Sequence, residues 1–109
     1  MTPSTIDFVH EPGDPWSVTR TLPLGTVLRV ELRPAGGYRW SGIEASEPGV
    51  LLVEGTVDED GTARSTITAL RTGQVVLAAT TQFQGDRFGP PTRRWTMTVL
   101  VIAGVSQGS

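Results

Sequence analysis

Arg33-Pro34-Ala35-Gly36-Gly37-Tyr38-Arg39-Trp40 joins two runs of strand character and differs from both in composition. Pro34 fixes one backbone torsion and donates no amide hydrogen, while Gly36 and Gly37 have access to left-handed torsions closed to other residues. Tyr38 and Trp40 follow at alternate positions, which puts both rings on one face of a strand. Before the bend, Leu28, Val30 and Leu32 alternate with Arg29 and Glu31, the period of a half-buried strand over residues 26–32. After it, residues 38–43 continue as the next strand. Two readings stand side by side: a hairpin corner that starts a core strand, or a binding loop held rigid by its aromatic anchor. Loops on rigid scaffolds are where recognition concentrates.

Outward from this corner the same grammar repeats. Toward the N-terminus, residues 16–22 carry Trp16, Val18 and Leu22 on one face, and residues 5–10 form a short β-prone run ended by Glu11-Pro12-Gly13-Asp14-Pro15. Toward the C-terminus, the apolar run at residues 50–54 reads as a fully buried strand. Residues 62–70 are threonine-rich, with Ile67 and Ala69 on one face, polar enough for a sheet edge. Residues 74–83 place Val75, Leu77 and Ala79 on one side, and residues 94–102 place Trp95, Met97, Val99 and Val101 on one side. No window sustains a helical period. Seven to eight short antiparallel strands separated by turn signals predict an all-β, immunoglobulin-like β-sandwich, with a closed barrel as the alternative. Residues 1–103 read as one domain, and residues 104–109 as a flexible tail.

The chain has 109 residues, enough to bury a core without covalent staples, and no cysteine, which excludes disulfides, thiolate metal sites and cysteine nucleophiles. Nine arginines, no lysine and eleven acids leave a net charge of −2, and the arginines are scattered rather than striped, against a nucleic-acid surface. No apolar run reaches the ~18 residues of a membrane span. The first residues lack a signal-peptide pattern, so the expected location is cytoplasmic, with secretion left open. The expected state is a monomer.

Catalytic chemistry finds little support. His10 is the one histidine and, lying beside turn residues, reads as a surface group. No serine sits on a glycine-flanked elbow, and Gly36-Gly37 lacks the lysine and helix of a phosphate loop. The expectation is therefore no enzyme, no metal and no cofactor. Trp16, Trp40 and Trp95 read as core residues, or alternatively as the lining of a small-ligand pocket. Three turns rich in glycine or proline stand out at residues 33–37, 58–62 and 84–92.

In this order the features resemble the chagasin-like inhibitors of papain-family cysteine proteases, cysteine-free immunoglobulin-like sandwiches of about this length. There a strand ends in Asn-Pro-Thr-Thr-Gly, then an aromatic, any residue and Trp. Here Pro34, Gly37, Tyr38 and Trp40 match that frame, while Arg33, Ala35 and Gly36 replace Asn, Thr and Thr. Leu24-Gly25-Thr26 resembles the turn before the first long strand, and Gly61-Thr62 falls at the glycine-rich second loop. Ala69-Leu70-Arg71-Thr72-Gly73 looks like the approach to the penultimate strand. The third loop's Arg-Pro-Trp is absent near Phe83, and Arg87-Phe88-Gly89-Pro90 supplies similar residues a few places later.

The resemblance implies non-covalent occlusion of a protease cleft by three loops. It implies contact residues Arg33, Pro34, Ala35, Gly36, Gly37, Gly61, Thr62, Phe83, Arg87 and Phe88, with Gly36 and Gly37 nearest the catalytic cysteine. The substitutions fall on contact positions and the matches on structural ones. A non-inhibitory protein-binding or accessory domain using the same loop end is the competing expectation.

Overall fold

Among the described residues, alternating apolar and polar side chains set nine strands in two sheets. The computed structural model describes residues 4–83 and 93–103. The expected tail at residues 104–109 lies outside them. The strands are β1 (Thr5–His10), β2 (Ser17–Pro23), β3 (Val27–Leu32), β4 (Tyr38–Trp40), β5 (Glu44–Ala45), β6 (Leu51–Val57), β7 (Ala63–Ala69), β8 (Gly73–Phe83) and β9 (Arg93–Ile102). One sheet has the order β1-β3-β7-β6; the other has β2-β9-β8-β4, with β5 also on β8. The sandwich expectation holds, with one strand more than expected, the two-residue β5. Most pairings are antiparallel, but β1 runs parallel to β3 and β2 parallel to β9, because the chain crosses between the sheets at residues 11–16.

The core fills the space between the layers. Leu28, Leu32 and Ile67 from the first sheet meet Leu77, Trp95, Met97 and Val99 from the second, all fully buried. Phe8 reaches across from β1 to Trp95, ring centroids 6.0 Å apart. Burying an aliphatic side chain of this size contributes about 1.5–3 kcal/mol, and truncating Trp95 to alanine costs ~3–5 kcal/mol.

Several sequence expectations change in three dimensions. Residues 38–43 do not form one strand: β4 stops at Trp40 because the Ser41 hydroxyl accepts from the Thr80 amide (2.9 Å). The Ser46 hydroxyl accepts from the Val76 amide (3.0 Å). On either side of β5 a serine hydroxyl thus serves as acceptor for a β8 amide, while the serine's own amide still donates to β8 (2.7 Å from Ser41 and 2.8 Å from Ser46). The apolar run at residues 50–54 is not a fully buried strand. It opens β6, a sheet edge, where Leu51 faces the core and Leu52 is 44% exposed. The threonine-rich segment is not an edge either: β7 lies between β3 and β6. Its inward residues Ala63, Ser65, Ile67 and Ala69 are buried, and its polarity belongs to the outer face. His10 is fully buried rather than on the surface, because it shares the inward face of β1 with Phe8 and pairs in register with Leu32.

Candidate functional site

The strand directions bring four connections to one end. β1, β3, β6 and β8 run toward it; β2, β4, β7 and β9 leave it. The registers fix this: His10 opposes Leu32, Leu32 opposes Ala63, Val57 opposes Ala63, and Tyr38 opposes Phe83. Residues 11–16, 33–37 and 58–62 therefore emerge together. The β8–β9 connection starts and ends here too, since Thr81 opposes Arg93. Its own path, with Arg87 and Phe88, lies outside the described residues.

The 33–37 and 58–62 loops are locked to each other. Gly61 has φ of +91° and is buried; a Cβ there would sit 2.7 Å from the Tyr38 carbonyl oxygen and 3.1 Å from Arg39 Cα. This close approach lets the Trp40 amide donate to the Gly61 carbonyl (3.0 Å). Arg39, on the opposite face of β4 from Trp40, donates through Nη1 to the Asp58 carbonyl (3.1 Å). Within the loops, the Tyr38 amide closes a turn on the Ala35 carbonyl (3.0 Å) and the Gly61 amide one on the Asp58 carbonyl (2.9 Å). The Thr62 amide donates to Asp60 Oδ1 (3.0 Å), and that bond holds the Asp60 carboxyl below its ordinary value. Of the two glycines at the corner, Gly37 takes a positive φ (+81°), whereas Gly36 does not and has open space where a Cβ would stand.

Alternating charges tie the loop bases together. Glu11, Arg33, Glu31, Arg64 and Asp58 form a continuous chain of ion pairs across β1, β3, β7 and β6, including Arg33 Nη1 to Glu11 (2.8 Å) and Arg64 Nε to Asp58 (2.6 Å). The Arg33 hydrogen bond holds the Glu31 carboxyl below its ordinary value, with Arg64 adding to the effect; the two guanidiniums are raised in turn. These side chains are largely solvated, so the chain orients the loops more than it stabilises the fold. Between the two loops runs an open groove of about 470 Å³, whose lining includes Arg33, Gly36, Gly37, Asp60, Thr62 and Arg64.

Beneath the loops lies an aromatic cluster. Trp16 stacks on Trp40 with centroids 5.4 Å apart, and His10 meets both edge-on at 5.0 and 5.8 Å. Burial lowers the His10 pKa; Asp14 and Glu11 pull it up, and Arg93 pushes it down. A cavity of about 150 Å³ opens beside Trp16 and Trp40. Trp95 is sealed in the core and takes no part in its lining, so the cavity borders two of the three tryptophans.

The structure thus brings Arg33, Pro34, Ala35, Gly36, Gly37, Gly61 and Thr62 to one end. Arg33, Ala35, Gly36 and Gly37 are exposed and Pro34 partly so, while Gly61 and Thr62 are buried and act as the joint between the loops. Phe83 closes β8 opposite Tyr38 at the same end. Of the tryptophans named in sequence as possible pocket lining, Trp16 and Trp40 do border the cavity; sequence reasoning missed Thr81 and Arg93 beside it, and Arg39 and Asp58, which pin the loops. Arg39 alone carried a signal, as the outward residue between two inward aromatics.

No family model matches the sequence, and no curated protein matches it. Solved structures do. The chain has the fold of the cysteine protease inhibitor EhICP2 from Entamoeba histolytica, with a TM-score of 0.62, 18% identity, and coverage of 91% of this chain and 97% of that one. It is also similar to PbICP-C, seen in complex with falcipain-2 (TM-score 0.53, 17% identity, 91% and 99% covered). Amebosin gives a TM-score of 0.50 at 19% identity, with 82% and 100% covered. The all-β, two-sheet fold is thus one that these solved structures share.

Proposed function

We propose that the chain is a non-covalent inhibitor of papain-like cysteine proteases that fills the active-site cleft with its loop end. The observation that carries this is the lock between the 33–37 and 58–62 loops at Gly61, on a fold shared with a cysteine protease inhibitor and with a protein bound to falcipain-2. An occluding inhibitor needs no catalytic group; it needs loops that lose little entropy on docking. Two loops joined by a backbone hydrogen bond, an arginine bond to a loop carbonyl and a glycine contact meet that need. Gly36, bare and open, lets the backbone come close to a catalytic residue, and Pro34 stiffens the approach.

Affinity is expected to be lower than for a loop with the Asn-Pro-Thr-Thr-Gly sequence. Ala35 and Gly36 offer no hydroxyls, and each lost anchor of this kind costs ~2 kcal/mol. Titration of papain with the purified chain tests the proposal: loss of peptidase activity is expected at micromolar inhibitor, and full activity there contradicts it.

Replacement of the recognised Asn and two Thr by Arg33, Ala35 and Gly36 favours a second reading, a loop end that binds a protein other than a protease. A pull-down that recovers a non-protease partner, lost in Gly36→Glu, supports this reading over inhibition.

A further inference from the structure

We propose that the cavity between Trp16, Trp40 and Thr81 is a binding site for a single carboxylate group. Trp40 and Thr81 both line it and are only 2% and 4% exposed, yet the Trp40 indole Nε1 and the Thr81 hydroxyl have no hydrogen-bond partner. Buried polar atoms are nearly always satisfied, and an indole N–H can only donate. Its complement is therefore an acceptor, and the hydroxyl beside it can donate to the same group.

Charge selects among acceptors. Arg33 and Arg93 both line the cavity. Arg33 is matched by Glu31 and Glu11, but Arg93 makes no ion pair among the described residues; its guanidinium carbon stands 4.1 Å from the centre of the Trp16 ring. An unmatched cation at the cavity calls for an anion. The volume of about 150 Å³ admits only a few heavy atoms. A carboxylate is small, planar and negative, with two oxygens to divide between indole, hydroxyl and guanidinium. It comes either as a free small acid or as an Asp or Glu side chain of a docked protein.

The test uses the isolated chain, so its outcome is separate from that of the inhibition assay. The Trp40 indole N–H resonance is followed at fixed pH while sodium propionate is added, against sodium chloride at equal ionic strength. A saturable shift with propionate and none with chloride is expected, with binding weakened about tenfold or more in Arg93→Gln and in Thr81→Val. Arg93 is exposed, so its variant keeps the fold if Thr81→Val does not. N-acetyl-aspartate and N-acetyl-glutamate methylamides then separate the sources. Saturation by either shows that a peptide-borne side chain enters, and saturation by propionate alone assigns the site to free acids. An indole that ignores propionate, responds equally to chloride, or responds unchanged in Arg93→Gln overturns the proposal.

Discussion

Gly36, Gly37 and Gly61 look alike in sequence and do different work. Gly37 and Gly61 hold positive φ, and Gly61 also presses against the backbone of β4. Gly61→Ala combines a left-handed alanine with a steric overlap and is expected to cost ~2 kcal/mol or more, lowering Tm by on the order of 10 °C. Gly36→Ala meets nothing and is expected to leave stability within about 0.5 kcal/mol. Thermal unfolding of the two variants checks both. His10 gives a pH dependence of defined sign. Its folded pKa is below the ordinary 6.5 because it is buried, so the unfolded chain binds the proton more readily. The stability this contributes is complete above about pH 6.5 and is lost as pH falls toward the folded value. Denaturant unfolding from pH 7.5 to 5 is expected to show that loss, and His10→Leu to flatten it. Glu31 acts in a lower window: its depressed pKa contributes stability above its ordinary 4.5, lost as pH falls through the folded value.

At the level of strands, alternation told inside from outside well. Leu28-Val30-Leu32, Val75-Leu77-Ala79 and Trp95-Met97-Val99 are all buried, as their period requires. Neighbour order was less legible, because a period of two says which face is buried and nothing about which strand lies alongside. Thus the threonines of β7 suggest an edge and the leucines of β6 a buried strand, and the sheet order reverses both. His10 was legible in principle, two residues after Phe8 in a strand, but the turn residues following it pointed to solvent. The contact corner was visible as a corner; the lock that makes it rigid depends on Gly61, which meets Tyr38 only in the fold. Gly55 marks another such approach, since a Cβ there would overlap Ser65 Oγ and the Arg64 carbonyl on β7. Gly55→Val is therefore expected to lower Tm even though Gly55 is exposed on an edge strand, whereas Thr56→Val, one residue on, is expected to change it little. A thermal melt of each distinguishes backbone crowding from edge-strand propensity.

Over the whole molecule, two sheets deliver their connections to one end, and the ion-paired, glycine-locked loops there sit above an aromatic base. This division of labour separates what holds the shape from what meets a partner: Trp40, Gly61 and Thr62 are interior, while Arg33, Ala35 and Gly36 are exposed. The proposed inhibition should accordingly respond to changes on the surface of the corner without any change in fold. Gly36→Glu is the sharpest such change, adding bulk and charge where no neighbour lies within 4 Å. The inhibition constant for papain, measured for the parent chain and for Gly36→Glu at equal Tm, tests this most directly. Inhibition by the parent in the micromolar range or tighter, weakened about tenfold or more by the substitution, is the predicted result. No inhibition by the parent at micromolar concentration, or inhibition indifferent to Gly36→Glu, would contradict it.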